Sequence, residues 1–246
     1  MTPVYREGYK FCQELCIPCY QTDKNGLLKP AAFMDLAQEI AYWAADALGF
    51  GYDQLHVHHT AWVLARMHLH FEKPVLWRDQ VKLCTWHKGP CGLVYLRDFE
   101  LKNAQGERAV SGTSSWVVMD DRTRRVARPE ELKQLLQADE VEHAIGEPAP
   151  KLIAPKEMES VGTHVVNWSE IDINAHTNNV RYVVWAMDCL MPEDACRPVK
   201  DLYINFNRET TVGERIELFH GRSGKEYFFE GRAVDGKSCF VVRLSF

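Results

Sequence analysis

The feature that most constrains this chain of 246 residues is an internal repeat. The segment from Met67 to Pro74 matches the segment from Leu202 to Glu209 in its order of apolar and polar positions, at a constant offset of 203 − 68 = 135 residues. Both segments continue into patterns typical of strands and then into a turn and a further strand. Repetition of this kind predicts two similar units in one chain.

A second match lies upstream of the first, at an offset of 172 − 23 = 149 residues. Residues 23–26, DKNG, align with residues 172–175, DINA, and each segment precedes apolar residues at helical spacing. The spacing predicts helices near residues 30–48 and 178–190, the first beginning at Pro30, a residue favoured in the first helical turn. The two offsets differ by 149 − 135 = 14 residues, which indicates an extra loop in the first unit.

Each half therefore reads as a strand, a turn, a helix and about four more strands. A helix packed on an antiparallel sheet buries the apolar face of both, so the predicted class is α+β, with two such units in tandem. We place the first unit at residues 1–137 and the second at residues 160–246. Residues 138–159 are rich in Pro, Glu and Ala and read as a linker.

Composition and charge exclude several classes of protein. The chain is 46% hydrophobic and 26% charged, which is typical of a globular protein, and it lacks the apolar run of about 20 residues that a membrane span needs. The N-terminal segment lacks the apolar core of a signal peptide, so we expect a cytoplasmic location. The net charge of −5 argues against general nucleic-acid binding and means that an acidic partner must bind a local basic patch.

Cysteines and histidines offer weak signals for a metal site. The eight cysteines are expected to be free and mostly buried. Cys16 and Cys19 form a C-x-x-C pair, but on a strand they point to opposite faces, and no second ligand pair accompanies them. The cluster of residues 56–59, HVHH, is expected in an exposed loop. We therefore predict no metal and no cofactor.

The two repeats differ at the turn before the helix. Asp172, Asn174 and His176 alternate, so an extended backbone would put all three side chains on one side, whereas the position equivalent to His176 in the first unit holds Leu27. The first N–H groups of the following helix could polarise the carbonyl group of a substrate, and a carboxylate with an imidazole could activate water. The alternative is that these are ordinary turn and capping residues, which is the role expected for Asp23 in the first unit.

The second-unit segment DINAHTNNVRYVVWAMDCL resembles the D-x-N-x-H-x-N-N-x-x-Y-x-x-W motif of the acyl–acyl carrier protein (acyl-ACP) thioesterases of plants and bacteria. The segments TWHKGPCGLVYLRDFEL and GERAVSGTSSWVVMD also resemble that family, and the similarity extends over nearly the whole chain. The resemblance implies two tandem hot-dog folds, in which a long helix is wrapped by the sheet. It implies hydrolysis of fatty acyl-ACP to free fatty acid, a step of fatty acid biosynthesis, with acyl carrier protein as the partner.

The resemblance also implies which residues act. The catalytic positions of the family fall on Asp172, Asn174, His176 and Glu209. Where plant members carry Cys, this chain has Thr210, a weak nucleophile without a dedicated base. We therefore favour attack by water or by a carboxylate, with Asp172 or Glu209 as the base or nucleophile, and with His176 and Asn174 orienting the substrate.

Further residues are expected to contact the substrate or the carrier protein. The first unit of the family helps to line the acyl tunnel, which implies substrate contacts at Phe33, Met34, Ala37 and Ile40. Basic residues near the second-unit motif are candidates for substrate or carrier binding, namely Arg181 and Arg208. A second group of basic residues either forms a solvated turn or binds the acidic carrier protein. Its members are Arg122, Arg124, Arg125 and Arg128.

Other functions remain as alternatives. A hot-dog thioesterase acting on acyl-CoA needs the same thioester chemistry as one acting on acyl-ACP. The sequence therefore distinguishes these two activities poorly. A non-catalytic acyl-binding regulator would normally carry a DNA-binding helix-turn-helix, and no segment before Phe11 is long enough for one. The characteristic histidine segments of a hot-dog hydratase are not visible. Acyl chain length, saturation and quaternary state, including a homodimer, are left open.

Overall fold

The computed structural model describes residues 2–127, 129, 132 and 141–246. The chain divides into two compact units, Met1–Ala149 and Pro150–Phe246. Each unit carries one main helix together with antiparallel strands. The predicted α+β class and the predicted repeat of strand, turn, helix and four strands are confirmed in both.

In its described residues, the first unit has an antiparallel sheet and two α-helices. Its helices and strands are β1 (Tyr5–Glu7), β2 (Lys10–Cys16), α1 (Pro30–Ala47), α2 (Tyr52–Val57), β3 (Thr60–Phe71), β4 (Gln80–Cys91), β5 (Val94–Asn103), β6 (Arg108–Asp120) and β7 (Val126–Ala127). The strands follow the order β1-β2-β4-β5-β6-β3, and β7 pairs with the end of β6. The order keeps β4, β5 and β6 consecutive because each is joined to the next by a tight turn.

The second unit repeats this plan on a smaller scale. Its helices and strands are β8 (Glu159–Val165), α3 (Asn179–Asp188), α4 (Pro192–Ala195), β9 (Asp201–Phe206), β10 (Arg215–Ser223), β11 (Glu226–Ala233) and β12 (Ser238–Ser245). The strand order β9-β12-β11-β10-β8 corresponds to the order β3-β6-β5-β4-β2 of the first unit. The two units therefore share one topology, as the repeat predicted.

The helices begin where the sequence predicts. Helix α1 starts at Pro30 and ends at Ala47, and Gly49, with a φ of 82°, follows its C-terminus. Helix α3 starts at Asn179, because the side chain of Asn178 accepts the N–H of Val180 and caps the helix. The apolar side chains that α1 turns toward the core are fully buried, and each of the larger ones contributes about 1.5–3 kcal/mol of burial free energy.

In its described part, the segment predicted as a linker is divided between the two units, and each portion packs within its own unit. Val141 and Ala144 lie against the buried Trp86 in the first unit. Leu152 packs with Phe228 and Val241 in the second unit. Residues 138–140 lie outside the described residues. The predicted domain boundaries stay a prediction.

The expectation that the cysteines are all free is wrong for one pair. Cys12 on β2 and Cys84 on β4 are direct cross-strand partners with a Cα–Cα distance of 4.1 Å, and they form a disulfide. Cys16, Cys19 and Cys91 are free but exposed rather than buried. The pairing of residues separated by 72 positions depends on strand register, which cysteine spacing alone does not reveal.

The histidine cluster is exposed, as predicted, although His56 belongs to helix α2 and stacks on Tyr52 at 5.4 Å. Across the described residues, His, Cys, Asp and Glu do not gather into a group of three or more that could hold a metal ion. Within the same part of the chain, every helix is too short or too polar to cross a bilayer.

Candidate active site

The candidate motif forms a closed turn rather than an extended run. Asp172 Oδ1 accepts the N–H of Asn174 at 2.8 Å, and the N–H of Asp172 donates to the carbonyl of His176 at 2.9 Å. Ala175 takes a φ of 62°, and a bridge between Ile171 and Thr177 closes the turn. The alternation argument for the three side chains is therefore wrong, because the carboxylate of Asp172 folds the backbone back on itself.

The same turn occurs in the first unit without the histidine. Asp23 Oδ1 accepts the N–H of Asn25 at 2.8 Å, the N–H of Asp23 donates to Leu27 O at 2.8 Å, and Gly26 has a φ of 77°. This turn forms with the apolar residue Leu27 in place of the histidine. The conformation of its backbone therefore does not require a histidine. What distinguishes the second unit is the side chain of His176.

His176 meets a carboxylate from the segment that follows β9. Its Nε2 lies 3.4 Å from Oε2 of Glu209, and the two side chains are 31% and 29% exposed. The two segments are joined where the N–H of Thr177 donates to the carbonyl of Thr210 at 2.8 Å. The pair is therefore held by backbone pairing and remains open to solvent on one side.

The first unit lacks this ion pair. Its equivalent segments are joined in the same way, by the N–H of Leu28 donating to the carbonyl of Val75 at 2.8 Å. By the repeat offsets, Leu27 and Pro74 stand where the second unit has His176 and Glu209. An apolar pair has replaced the titratable one on the same backbone.

Thr210 does not have the environment of a nucleophile. The residue is fully buried, and its hydroxyl lies 2.7 Å from Thr177 Oγ1 and 3.0 Å from Tyr182 Oη. A nucleophile must reach the thioester carbon and give its proton to a base. This geometry supports attack by water or a carboxylate.

The start of helix α3 offers fewer free N–H groups than expected. The N–H of Val180 donates to Asn178 Oδ1 at 2.9 Å, and the N–H of Arg181 donates to Asn178 O at 2.9 Å. The N–H groups of Val180 and Arg181 are therefore not free to polarise a substrate carbonyl, because the capping residue already occupies them. The side chains of Asn174 and His176 remain the candidate donors for a developing oxyanion.

The two arginines near the motif have different environments. Arg208 pairs with Glu214 at 3.1 Å and with Asp235 at 3.7 Å, so its charge is largely compensated. Arg181 is half-buried on α3, and its Nε is buried without a hydrogen-bond partner. Arg181 therefore has the larger capacity to gain from a bound anionic or carbonyl group.

The remaining candidate residues lie in the first unit. Phe33, Met34, Ala37 and Ile40 are fully buried on helix α1, and their contact with an acyl chain stays a prediction. Arg122, Arg124 and Arg125 are exposed in the turn between β6 and β7, and Arg128 lies outside the described residues. An exposed basic turn is accessible to an acidic partner.

Sequence reasoning missed an apolar hollow beside Asp172. Four apolar side chains line it together with Asp172 and Ala175, and its volume is about 280 Å³. Trp168 and Ile173 on its rim are 80% and 70% exposed. The available signal in the sequence was Trp168, a large apolar residue four positions before Asp172.

Glu170 is a second residue that sequence reasoning did not identify. Its hydrogen bonds stabilise the segment that precedes the turn. Its carboxylate accepts Trp185 Nε1 at 2.7 Å and the N–H of Asn167 at 2.7 Å, and it lies 2.8 Å from His164 Nε2. Burial would raise the pKa of Glu170, but these hydrogen bonds outweigh it and lower the pKa. The N-x-x-E spacing of a capping box was the available signal.

Comparisons with known proteins agree with this arrangement. Residues 8–135 match the model of the acyl-ACP thioesterase N-terminal domain, and residues 153–237 match that of the C-terminal domain. The chain is 27% identical over 230 residues to oleoyl-acyl carrier protein thioesterase 2, chloroplastic, of Arabidopsis thaliana, covering 86% of this chain and 62% of that protein. It is 27% identical over 225 residues to the chloroplastic palmitoyl-acyl carrier protein thioesterase of Gossypium hirsutum, covering 84% of this chain and 53% of that protein.

Solved structures share the fold. An acyl-ACP thioesterase from Bacteroides thetaiotaomicron superposes with a TM-score of 0.87 at 20% identity, covering 97% of this chain and 98% of that one. The 12:0-ACP thioesterase from Umbellularia californica superposes with a TM-score of 0.88 at 22% identity, covering 98% of each chain. These likenesses confirm the predicted hot-dog architecture. The two domain models together match most of the sequence, and the chain belongs to the acyl-ACP thioesterase family.

Proposed function

We propose that this protein hydrolyses the thioester of fatty acyl-ACP and releases a free fatty acid. The observation that carries the proposal is the pair of His176 and Glu209, with Nε2 and Oε2 separated by 3.4 Å, in the half of the chain that matches the family's C-terminal domain. The chain spans 62% and 53% of the length of the two plant relatives, so their activity is an inference for this chain.

The proposed reaction needs no group beyond these side chains and water. Glu209 or Asp172 takes a proton from water, and the oxygen attacks the carbonyl carbon of the thioester. The side chains of His176 and Asn174 donate to the oxyanion that forms. Collapse of the tetrahedral intermediate breaks the carbon–sulfur bond, and the leaving thiolate takes up the proton. In a second route the carboxylate itself attacks the carbonyl carbon and expels the thiolate, and water then hydrolyses the mixed anhydride that forms.

A direct comparison of substrates tests the proposal. The purified protein is given one acyl chain either on acyl carrier protein or on CoA, and the rate of free thiol release is followed. We expect kcat/KM to be at least about tenfold higher for the carrier-bound chain, a difference of about 1.4 kcal/mol in transition-state binding. A higher kcat/KM for the CoA thioester would favour the acyl-CoA thioesterase instead, and binding without turnover would favour a non-catalytic acyl-binding protein.

We further propose that an exposed basic turn recruits the acidic carrier protein. Arg122 and Arg125 lie in this turn on a chain whose net charge is −5. The double substitution Arg122→Glu with Arg125→Glu should raise KM for acyl-ACP about tenfold and leave a short soluble thioester unaffected, since electrostatic complementarity acts on the encounter.

The matched control for this prediction reverses two exposed lysines, Lys151 and Lys225, and makes the same change in net charge. It should leave KM for acyl-ACP nearly unchanged. Equal increases in KM from the two double variants would assign the effect to net charge rather than to docking at the turn. A cytoplasmic location remains an expectation from the sequence, a homodimer stays an open question, and the plant relatives are named as chloroplastic proteins.

A further inference from the structure

A closed network of hydroxyl groups lies beneath the candidate active site. Tyr182 Oη is 3.0 Å from Thr210 Oγ1, which is 2.7 Å from Thr177 Oγ1. Thr177 Oγ1 in turn donates to the carbonyl of Thr210 at 3.1 Å, and the N–H of Thr210 donates to Tyr182 Oη at 3.2 Å. All three side chains are buried.

The proton positions in this network follow from counting donors. Each hydroxyl has one proton, and the carbonyl of Thr210 can only accept. Thr177 therefore donates to that carbonyl and accepts from Thr210, and Thr210 accepts from Tyr182. The phenol stays protonated throughout the working pH range, because burial raises the pKa of Tyr182 to about 12. A single direction of donation thus runs from Tyr182 through Thr210 to Thr177.

The network joins the two segments that carry the ion pair. Thr177 follows His176 in the turn, and Thr210 follows Glu209 after β9. The ring of Tyr182 is itself held on helix α3 by Trp185 and Phe240, whose centroids lie 5.0 Å and 5.1 Å away. A rigid aromatic group therefore anchors the hydroxyl that fixes the backbone next to Glu209.

The first unit shows that the fold does not require these hydroxyls. By the repeat offsets, Leu28, Val75 and Phe33 occupy the positions of Thr177, Thr210 and Tyr182. These three residues are also buried, and the backbone hydrogen bond between the two segments is retained. The hydroxyl groups and the ion pair thus occur together in the second unit, and both are replaced by apolar residues in the first. This association indicates that the network serves the ion pair rather than the packing of the core.

We propose that Tyr182 is a positioning residue that acts through Thr210 and Thr177 to hold Glu209 at its distance from His176. The proposal rests on the proposed thioester hydrolysis and names the groups that orient its carboxylate. Tyr182 does not touch substrate in this account. Its effect is on the geometry of a catalytic pair, where a displacement of about 1 Å can cost up to about 10²-fold in rate.

Removal of one oxygen atom tests the proposal. Tyr182→Phe keeps the ring between Trp185 and Phe240 and should lower kcat for acyl-ACP about tenfold, with KM changed less than about twofold. Thr210→Val, which keeps the shape of the side chain, should give a similar loss. Thr210→Ser retains the hydroxyl and should restore most of the activity.

The matched control is Tyr227→Phe. Tyr227 is a buried tyrosine of the same unit, and its hydroxyl accepts a hydrogen bond from Arg197 at 3.3 Å. This variant should lose a comparable amount of thermal stability and keep its kcat. Circular dichroism and thermal unfolding establish for each variant that the protein is folded before its kinetics are compared.

Combination with Glu209→Gln decides between positioning and general structural damage. If Tyr182 acts by orienting the carboxylate, Tyr182→Phe should have almost no further effect on kcat in the Glu209→Gln background, since coupled residues are not additive. An equal loss in both backgrounds would overturn the proposal, as would a Tyr182→Phe variant with unchanged kcat or a Glu209→Gln variant with full activity. Absence of turnover by the unmodified protein would instead refute the proposed function.

Discussion

Substitution of Asp172 or His176 by alanine is expected to lower kcat by about 10²-fold or more, the usual scale for losing an acid–base group or an oxyanion donor. Asp172 also accepts the N–H of Asn174, so its removal loosens the turn that presents His176. Glu209→Gln keeps the shape of the side chain and removes its charge, and should give a loss of similar size. Steady-state hydrolysis of acyl-ACP measures all three variants.

The repeat supplies a matched control for this experiment. Asp23→Ala removes the equivalent carboxylate, which accepts the N–H of Asn25 at 2.8 Å as Asp172 accepts that of Asn174. This variant should lose stability through its turn and keep nearly full kcat. Wild-type kcat in Asp172→Ala or His176→Ala would remove these residues from the mechanism, and a large loss in Asp23→Ala would show that turn geometry alone matters.

A single methyl group at Gly231 is expected to have a large effect on stability. A Cβ built at this position would lie 2.1 Å from Cε1 of Phe240 and 2.9 Å from Cγ2 of Ile216. The ring of Phe240 covers the glycine across the β11–β12 ladder, so either the ring or the strand must move. Gly231→Ala is expected to lower the free energy of unfolding by about 3 kcal/mol, at the upper end for overpacking.

A second substitution can relieve the same clash. Phe240→Leu removes the ring atoms that meet the new methyl group, so the double variant should be more stable than Gly231→Ala alone. Gly146→Ala is the control, because a Cβ there meets nothing within 4 Å and its backbone is unstrained. Unfolding in guanidinium chloride compares the variants. A double variant less stable than Gly231→Ala alone would show that this clash is not the cause.

Gly231 also bears on activity, because Phe240 packs against Tyr182 at 5.1 Å. A methyl group that displaces the ring of Phe240 removes one support of the phenol. Phe240 therefore packs both on the β11–β12 ladder and on the hydroxyl network, so a change in one is expected to affect the other.

The fold could be predicted from the sequence because helical spacing and strand alternation are both local patterns. Apolar residues at helical spacing predicted α1 to within one residue at its end, and the repeat extended this reasoning to α3. The disulfide of Cys12 and Cys84 was not accessible, since it depends on the register between β2 and β4. Register is set by tertiary packing, which single-chain patterns do not contain.

The candidate site was accessible only in part. His176 stands out because the equivalent residue is Leu27, a contrast that the sequence itself contains. Glu209 entered only through resemblance to a family, because nothing local marks a carboxylate 209 − 176 = 33 residues away as its partner. The hydroxyl network was missed because its three members lie on a turn, on a helix and in the segment after β9.

At the N-terminus of helix α3, two expectations from the sequence conflict. Unpaired N–H groups at the start of a helix are a sound expectation for an oxyanion site. Asn178 was visible as a capping residue, and its side chain takes the N–H of Val180. Two valid rules competed for the same atoms, and only the observed hydrogen bond decides between them.

The covalent link between β2 and β4 has a consequence for handling the protein. In the chain-entropy model, closing a loop between residues separated by 72 positions contributes about 4 kcal/mol. Reductant added to protect the exposed thiols of Cys16, Cys19 and Cys91 would also open this bond. If β2 then peels away, it uncovers the backbone of β4 along residues 80–85, a row of unpaired amide and carbonyl groups that can join a strand of another molecule. Loss of one sulfur–sulfur bond thereby becomes a route to edge-to-edge aggregation.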